Sequence, residues 1–165
     1  MNAVREVQWR PVLAAAAAAM AVAGLGVAVT NLGPWYYTLH KPAWQPPDWL
    51  FGPAWTLIFA FTALAGVLAW RSAGARPRKA LILCLFALNA ALNVFWSWLF
   101  FHLHRPDWAL VEVGFFWFSI LALVVALVRH TRAGSFLLVP YLLWVAFAAA
   151  LNYAVVQLNA PFVGG

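Results

Sequence analysis

Five long runs almost free of charge dominate this chain, and they leave few folds open to it. They cover about residues 12–31, 51–70, 80–101, 108–128 and 135–158. Each is close to the ~20 residues a helix needs to cross a bilayer. In hydrocarbon every backbone N–H and C=O must be paired within the protein, so isolated apolar segments of this length are helices. The expected fold is all-α, a five-transmembrane-helix bundle in a single membrane domain over residues 1–165. Composition excludes the water-soluble alternative. Hydrophobic residues make up 66% of the chain and charged residues 8%, with a mean hydropathy of +0.85. A soluble domain is about a quarter charged.

Arg5 and Arg10 ahead of an alanine-rich run resemble the start of a signal peptide, and Ala21-Val22-Ala23 resembles its cleavage site. The uncharged run continues to about Gly33, however, long enough to span, so it is expected to be a retained first helix. The formal net charge is +6. The cations are scattered between apolar runs instead of forming one patch, which argues against nucleic-acid binding and for orientation signals. Arg5, Arg10, Arg71, Arg76, Arg78, Lys79, Arg129 and Arg132 fall on the N-terminal side, and only Lys41 and Arg105 on the other. The positive-inside rule then places the N-terminus in the cytoplasm and the loop before the second span outside. Connections at 71–79, 102–107 and 129–134 are short, so consecutive helices are expected to be antiparallel neighbours. The C-terminal Pro161–Gly165 is expected to fray.

Between the first two spans lies the least ordinary stretch, the aromatic and proline-rich loop 35–50 and its continuation to Trp55. Residues 35–55 hold four tryptophans, two tyrosines and four prolines. Pro42, Pro46, Pro47 and Pro53 disfavour a continuous helix and predict a stiff, extended loop. Such a segment is either a lid over the mouth of the bundle or an aromatic belt at the headgroup level.

Within the spans, polar and aromatic residues recur at one-turn spacing. Asn89, Asn93, Trp96 and Ser97 share a face of the third span. Amides at this depth face the bundle interior, where they bond either a ligand or neighbouring helices. Tyr141, Trp144, Ala148 and Asn152 form a similar stripe in the fifth, and Trp55 and Phe59 a shorter one in the second. A mid-span indole N–H finds no acceptor in lipid, so Trp144 should point at a protein acceptor or a bound molecule. Pro140 predicts a bend near the start of the fifth span. Together these faces fit an aromatic-walled cavity for a large, flat, mostly apolar ligand, or ordinary packing.

Other chemistry is poorly represented. His40, His102, His104 and His130 form no spaced cluster with Cys, Asp or Glu, so no metal or other cofactor is expected. The lone Cys84 allows no intrachain disulfide. Glu112, the only acid within a span, is expected to reach the interface or to pair with Arg105. Gly24-x-x-x-Ala28 and Ala87-x-x-x-Ala91 permit close helix contacts. There is no nucleophile–base pair and no paired carboxylate, and nothing in the runs resembles the broken mid-span helices of secondary transporters.

The run Trp35-Tyr36-x-x-Leu39-x-Lys41-Pro42-x-Trp44-x-Pro46-Pro47-x-Trp49 resembles the signature of the TspO/MBR family, which includes translocator proteins, tryptophan-rich sensory proteins and peripheral benzodiazepine receptors. Leu92-Asn93-x-x-Trp96-Ser97-x-x-Phe100-Phe101 and Pro140-Tyr141-Leu142-x-Trp144-x-x-Phe147-Ala148-x-x-Leu151-Asn152-Tyr153 are similar to its third- and fifth-helix motifs. The resemblance implies a five-helix bundle, often a homodimer, in a bacterial cell envelope or the mitochondrial outer membrane. It implies a receptor for porphyrins such as protoporphyrin IX, for sterols such as cholesterol, and for isoquinoline or benzodiazepine ligands, or else a transporter of such molecules. Ligand contact carries over to Tyr36, Pro46, Trp55, Phe59, Asn89, Asn93, Trp96, Trp144, Ala148 and Asn152. Light- and oxygen-dependent porphyrin breakdown in some relatives implies catalytic roles for Trp55 and Trp144. One departure stands out. The family's proposed sterol motif needs a basic residue soon after the tyrosine, and Tyr153 is followed by none.

Overall fold

The computed structural model describes residues 9–162. Arg5 and the last three residues, to which part of the orientation count and of the fraying expectation refer, lie outside the described residues. Among the described residues there are seven helices: α1 (Trp9–Val29), α2 (Pro34–Thr38), α3 (Phe51–Ser72), α4 (Arg76–Ser97), α5 (Pro106–Val128), α6 (Arg132–Leu137) and α7 (Val139–Asn159). A 3-10 turn, Asp48–Leu50, leads into α3, and a π turn, Trp98–His102, extends α4. Taking α6 and α7 as one span, five segments among the described residues are long and apolar enough to cross a membrane. The protein is an integral, multi-pass, all-helical membrane protein.

Prolines set most of the helix starts. Pro34, Pro77, Pro106 and Pro140 sit at the first or second helical position, where a missing N–H costs nothing and the fixed φ favours the helix. The fifth span is interrupted at Leu138, close to the bend expected at Pro140. Its first piece, α6, is capped by Thr131, whose Oγ1 accepts from Gly134 N at 3.2 Å. Gly134 itself is needed for closeness. A Cβ there would lie 3.4 Å from the Ala65 carbonyl oxygen and 2.7 Å from the Thr131 methyl, so its lack of a side chain lets α6 press on α3.

Helix contacts close into a ring in the order α1, α3, α6 with α7, α5, α4 and back to α1. This revises the expectation that every consecutive pair lies side by side, because α3 and α4 touch much less than either touches α1. The core is centred on α5, where Ala109, Val113, Phe116, Ile120, Leu123 and Leu127 are buried. No residue of α1 is buried. Gly24 offers no close helix contact either, since a Cβ there would meet nothing within 4 Å.

Candidate functional site

Loop 35–50 is less extended than its prolines imply. Pro34 starts a helix that carries Trp35, Tyr36 and Tyr37, and only residues 39–47 run without helix before the Asp48 turn. The loop folds over the end of the bundle and is fastened at three places. Tyr36 OH donates to Asp48 Oδ1 at 2.9 Å, and Gln45 Nε2 donates to the same oxygen at 3.1 Å. The Lys41 ammonium lies 3.5 Å from the centre of the Tyr36 ring, a cation–π contact. At the far side, Asn159 Oδ1 accepts from His40 N and Asn159 Nδ2 donates to His40 O, each at 2.8 Å. This reciprocal pair ties the loop to the C-terminal end of α7. Burial and the bond to Asp48 push the Tyr36 phenol well above the ordinary tyrosine value of 10.0.

Beneath this loop is a cavity of about 510 Å³, within the range of small-molecule sites. Three indoles reach it from three helices: Trp55 from α3, Trp96 from α4 and Trp144 from α7. Trp55 stacks on Phe59 with ring centres 5.5 Å apart and meets Tyr141 edge-on at 6.0 Å. Trp144 is edge-on to Phe51 at 5.7 Å. The π turn carries Phe100 and Phe101 onto the same wall, next to Trp96. Tyr36, Lys41, Gln45 and Asp48 form the roof, and Ala148 leaves room beside Trp144.

The polar residues serve mostly to pin helices. Asn93 Nδ2 donates to Tyr141 OH, and Tyr141 OH donates to Asn89 Oδ1, both at 3.2 Å. Asn89 Nδ2 donates to Ser119 Oγ at 2.8 Å, which ties α4, α7 and α5 together. Trp96 Nε1 donates to Asn152 Oδ1 at 3.2 Å, and Asn152 Nδ2 donates to Pro106 O at 2.8 Å. Trp144 is the exception among the residues that line this cavity. Its Nε1 is buried and has no acceptor among the described residues.

Of the ten residues expected to touch ligand, Tyr36, Trp55, Phe59 and Asn93 line this cavity, as do Trp96, Trp144, Ala148 and Asn152. Pro46 does not, and stiffens the loop above instead. Asn89 lies deeper and faces a second hollow, described below, to which Phe59 also belongs. Sequence reasoning did not single out Asn159 or Ser119, although a polar side chain at the end of, or within, an apolar run was the available signal in both. Glu112 neither reaches the interface nor pairs with Arg105. It is buried on α5 with both carboxyl oxygens unpartnered among the described residues, because Arg105 is already held by Asp107 through Nε at 2.8 Å and through Nη2.

Comparison with known proteins agrees with this architecture. The TspO/MBR family profile matches residues 12–158. The chain is 44% identical over 130 residues to the tryptophan-rich protein TspO of Chlorobaculum tepidum, covering 76% of this chain and 80% of that one. It is 36% identical over 132 residues to the human translocator protein, covering 79% and 78%. The tryptophan-rich sensory protein of Cereibacter sphaeroides is 33% identical over 125 residues, covering 76% and 77%. With the family profile running through all five spans and relatives of this identity over most of its length, the chain belongs to the TspO/MBR family.

Proposed function

We propose that the protein is a membrane receptor that holds a flat, hydrophobic small molecule of the porphyrin type in the cavity beneath the loop. The observation that carries the reading is the buried, unpartnered indole N–H of Trp144 on the wall of that cavity. A buried donor without an acceptor is unfavourable, and an acceptor on a bound molecule removes the penalty. Trp55, Trp96 and the phenylalanine pair of the π turn offer broad π faces for a planar ring system. Lys41 at the roof suits an acidic substituent. Relatives named translocator protein and tryptophan-rich sensory protein agree with ligand sensing as the role. Sterols, isoquinolines and benzodiazepines are further candidates by the same family likeness, and the missing basic residue after Tyr153 weakens the case for sterols alone.

Titration with protoporphyrin IX tests the reading. The porphyrin should quench tryptophan fluorescence with a Kd of about 1 μM or below, a range ordinary for a pocket of this size. Trp144→Ala should weaken binding at least tenfold, about 1.4 kcal/mol. Equal binding by parent and variant overturns the assignment.

A second reading is favoured by one specific feature, the two indoles Trp55 and Trp144 that both line the cavity. In light, an excited tetrapyrrole held against these indoles would take one electron from an indole and pass it to oxygen as superoxide. The oxidised indole would recover an electron from the porphyrin, whose radical cation would combine with superoxide and open the ring. Illumination of the complex decides it. Porphyrin loss no faster than in free solution, or equally fast in Trp55→Phe and Trp144→Phe, rules this activity out.

A further inference from the structure

The larger hollow of the molecule is not the one under the loop. A cavity of about 960 Å³ opens between α1, α3 and α4 and runs along α1 from Trp9 to Val22, about 20 Å of helix. It exists because α1 presents Ala14, Ala15, Ala18 and Ala19 where a packed bundle would present larger side chains. The same cause leaves α1 without a single buried residue. An apolar hollow of this size, left unfilled, is unfavourable, because each lining group forfeits its dispersion contacts. Its length and its largely apolar walls, interrupted by Thr62, Asn89 and Tyr141, match an extended acyl chain.

The mouth of the hollow says which kind. Trp9, Arg10 and Trp70 line that end, and the Lys79 ammonium sits 4.7 Å from the centre of the Trp70 ring. The basic residues of the 71–79 and 129–132 connections belong to the same end of the bundle. All described carboxylates, Asp48, Asp107 and Glu112, lie in the other half. Indoles and cations at the level of the headgroups, above an apolar slot, complement an anionic lipid.

We propose that this cavity is a second ligand site, separate from the one under the loop, that takes one acyl chain of a glycerophospholipid with an acidic headgroup held at Arg10 and Lys79. The lipid completes the packing of α1 and so acts as a structural partner of the bundle. The proposal does not depend on what the outer cavity binds.

Native mass spectrometry of the purified full-length chain in detergent tests it, with palmitoyl-oleoyl phosphatidylglycerol, phosphatidylcholine of the same chains, and oleate as probes. One phosphatidylglycerol per chain should be retained, at least fivefold over phosphatidylcholine and over oleate. Arg10→Gln should bring the headgroup preference close to one. The double substitution Ala15→Leu with Ala19→Leu should abolish retention of lipid while leaving the outer cavity's walls untouched. Equal retention of the two phospholipids by the parent overturns the proposal, as does unchanged retention in the double variant. Retention of oleate as strongly as phosphatidylglycerol overturns the phospholipid assignment. The comparison of probes on the parent requires no variant, so it decides the matter even if the double variant fails to fold.

Discussion

Asn152 shows how a single side chain can hold several elements. It is almost fully buried, accepts from the Trp96 indole of α4 and donates to the Pro106 carbonyl at the start of α5. Leucine at this position removes both bonds and leaves the Trp96 N–H and the buried Pro106 carbonyl without these partners. Asn152→Leu should therefore lower stability by about 1–3 kcal/mol, measured by thermal unfolding in detergent. Glu112 presents the opposite case. Its carboxyl oxygens are buried without partners among the described residues, and a polar group so placed is expensive. Glu112→Met, similar in volume, should raise stability by about 1–3 kcal/mol. A loss in that experiment would mean that the carboxyl group has a task within the bundle.

At the level of elements, the loop is a small assembly with its own fastening. The Tyr36 phenol is raised by burial first and by Asp48 second. The folded loop thus binds that proton more tightly than the open chain does. Its contribution is complete below the ordinary tyrosine value of 10.0 and declines as pH climbs beyond it. Release of a bound porphyrin should accelerate above about pH 10, the range where an open-chain tyrosine ionises. Tyr36→Phe should release faster at neutral pH, having lost its bond to Asp48, and show a weaker dependence over the same alkaline range. Stopped-flow fluorescence reads both rates.

For the whole molecule, the distribution of charge sets an expectation for orientation, which the fold is compatible with in either sense. Lys and Arg crowd the end where α1 begins, so that end should face the cytoplasm. In a Cys84→Ser background, Trp49→Cys should react with an impermeant maleimide on intact cells, and Gly74→Cys only after lysis. The reverse pattern would show that the protein is inserted the other way. The ring order of the helices also shapes function at this scale. With α3 and α4 only lightly in contact, the interior divides into a hollow under the loop and a larger one between α1, α3 and α4, with Phe59 common to both.

Long uncharged runs determined the spans directly, because a bilayer accepts only internally paired backbone, and prolines marked most helix starts. One-turn spacing exposed the faces of Asn89 and Asn93, and of Tyr141, Trp144 and Asn152, because periodicity within a helix is local information. What periodicity cannot carry is the partner across the gap. Whether Asn93 bonds Tyr141, whether Trp144 is left without an acceptor, and whether α1 packs tightly or leaves a slot all depend on how separate helices approach. Only the tertiary structure decides these, since they rest on distances between residues far apart in the chain.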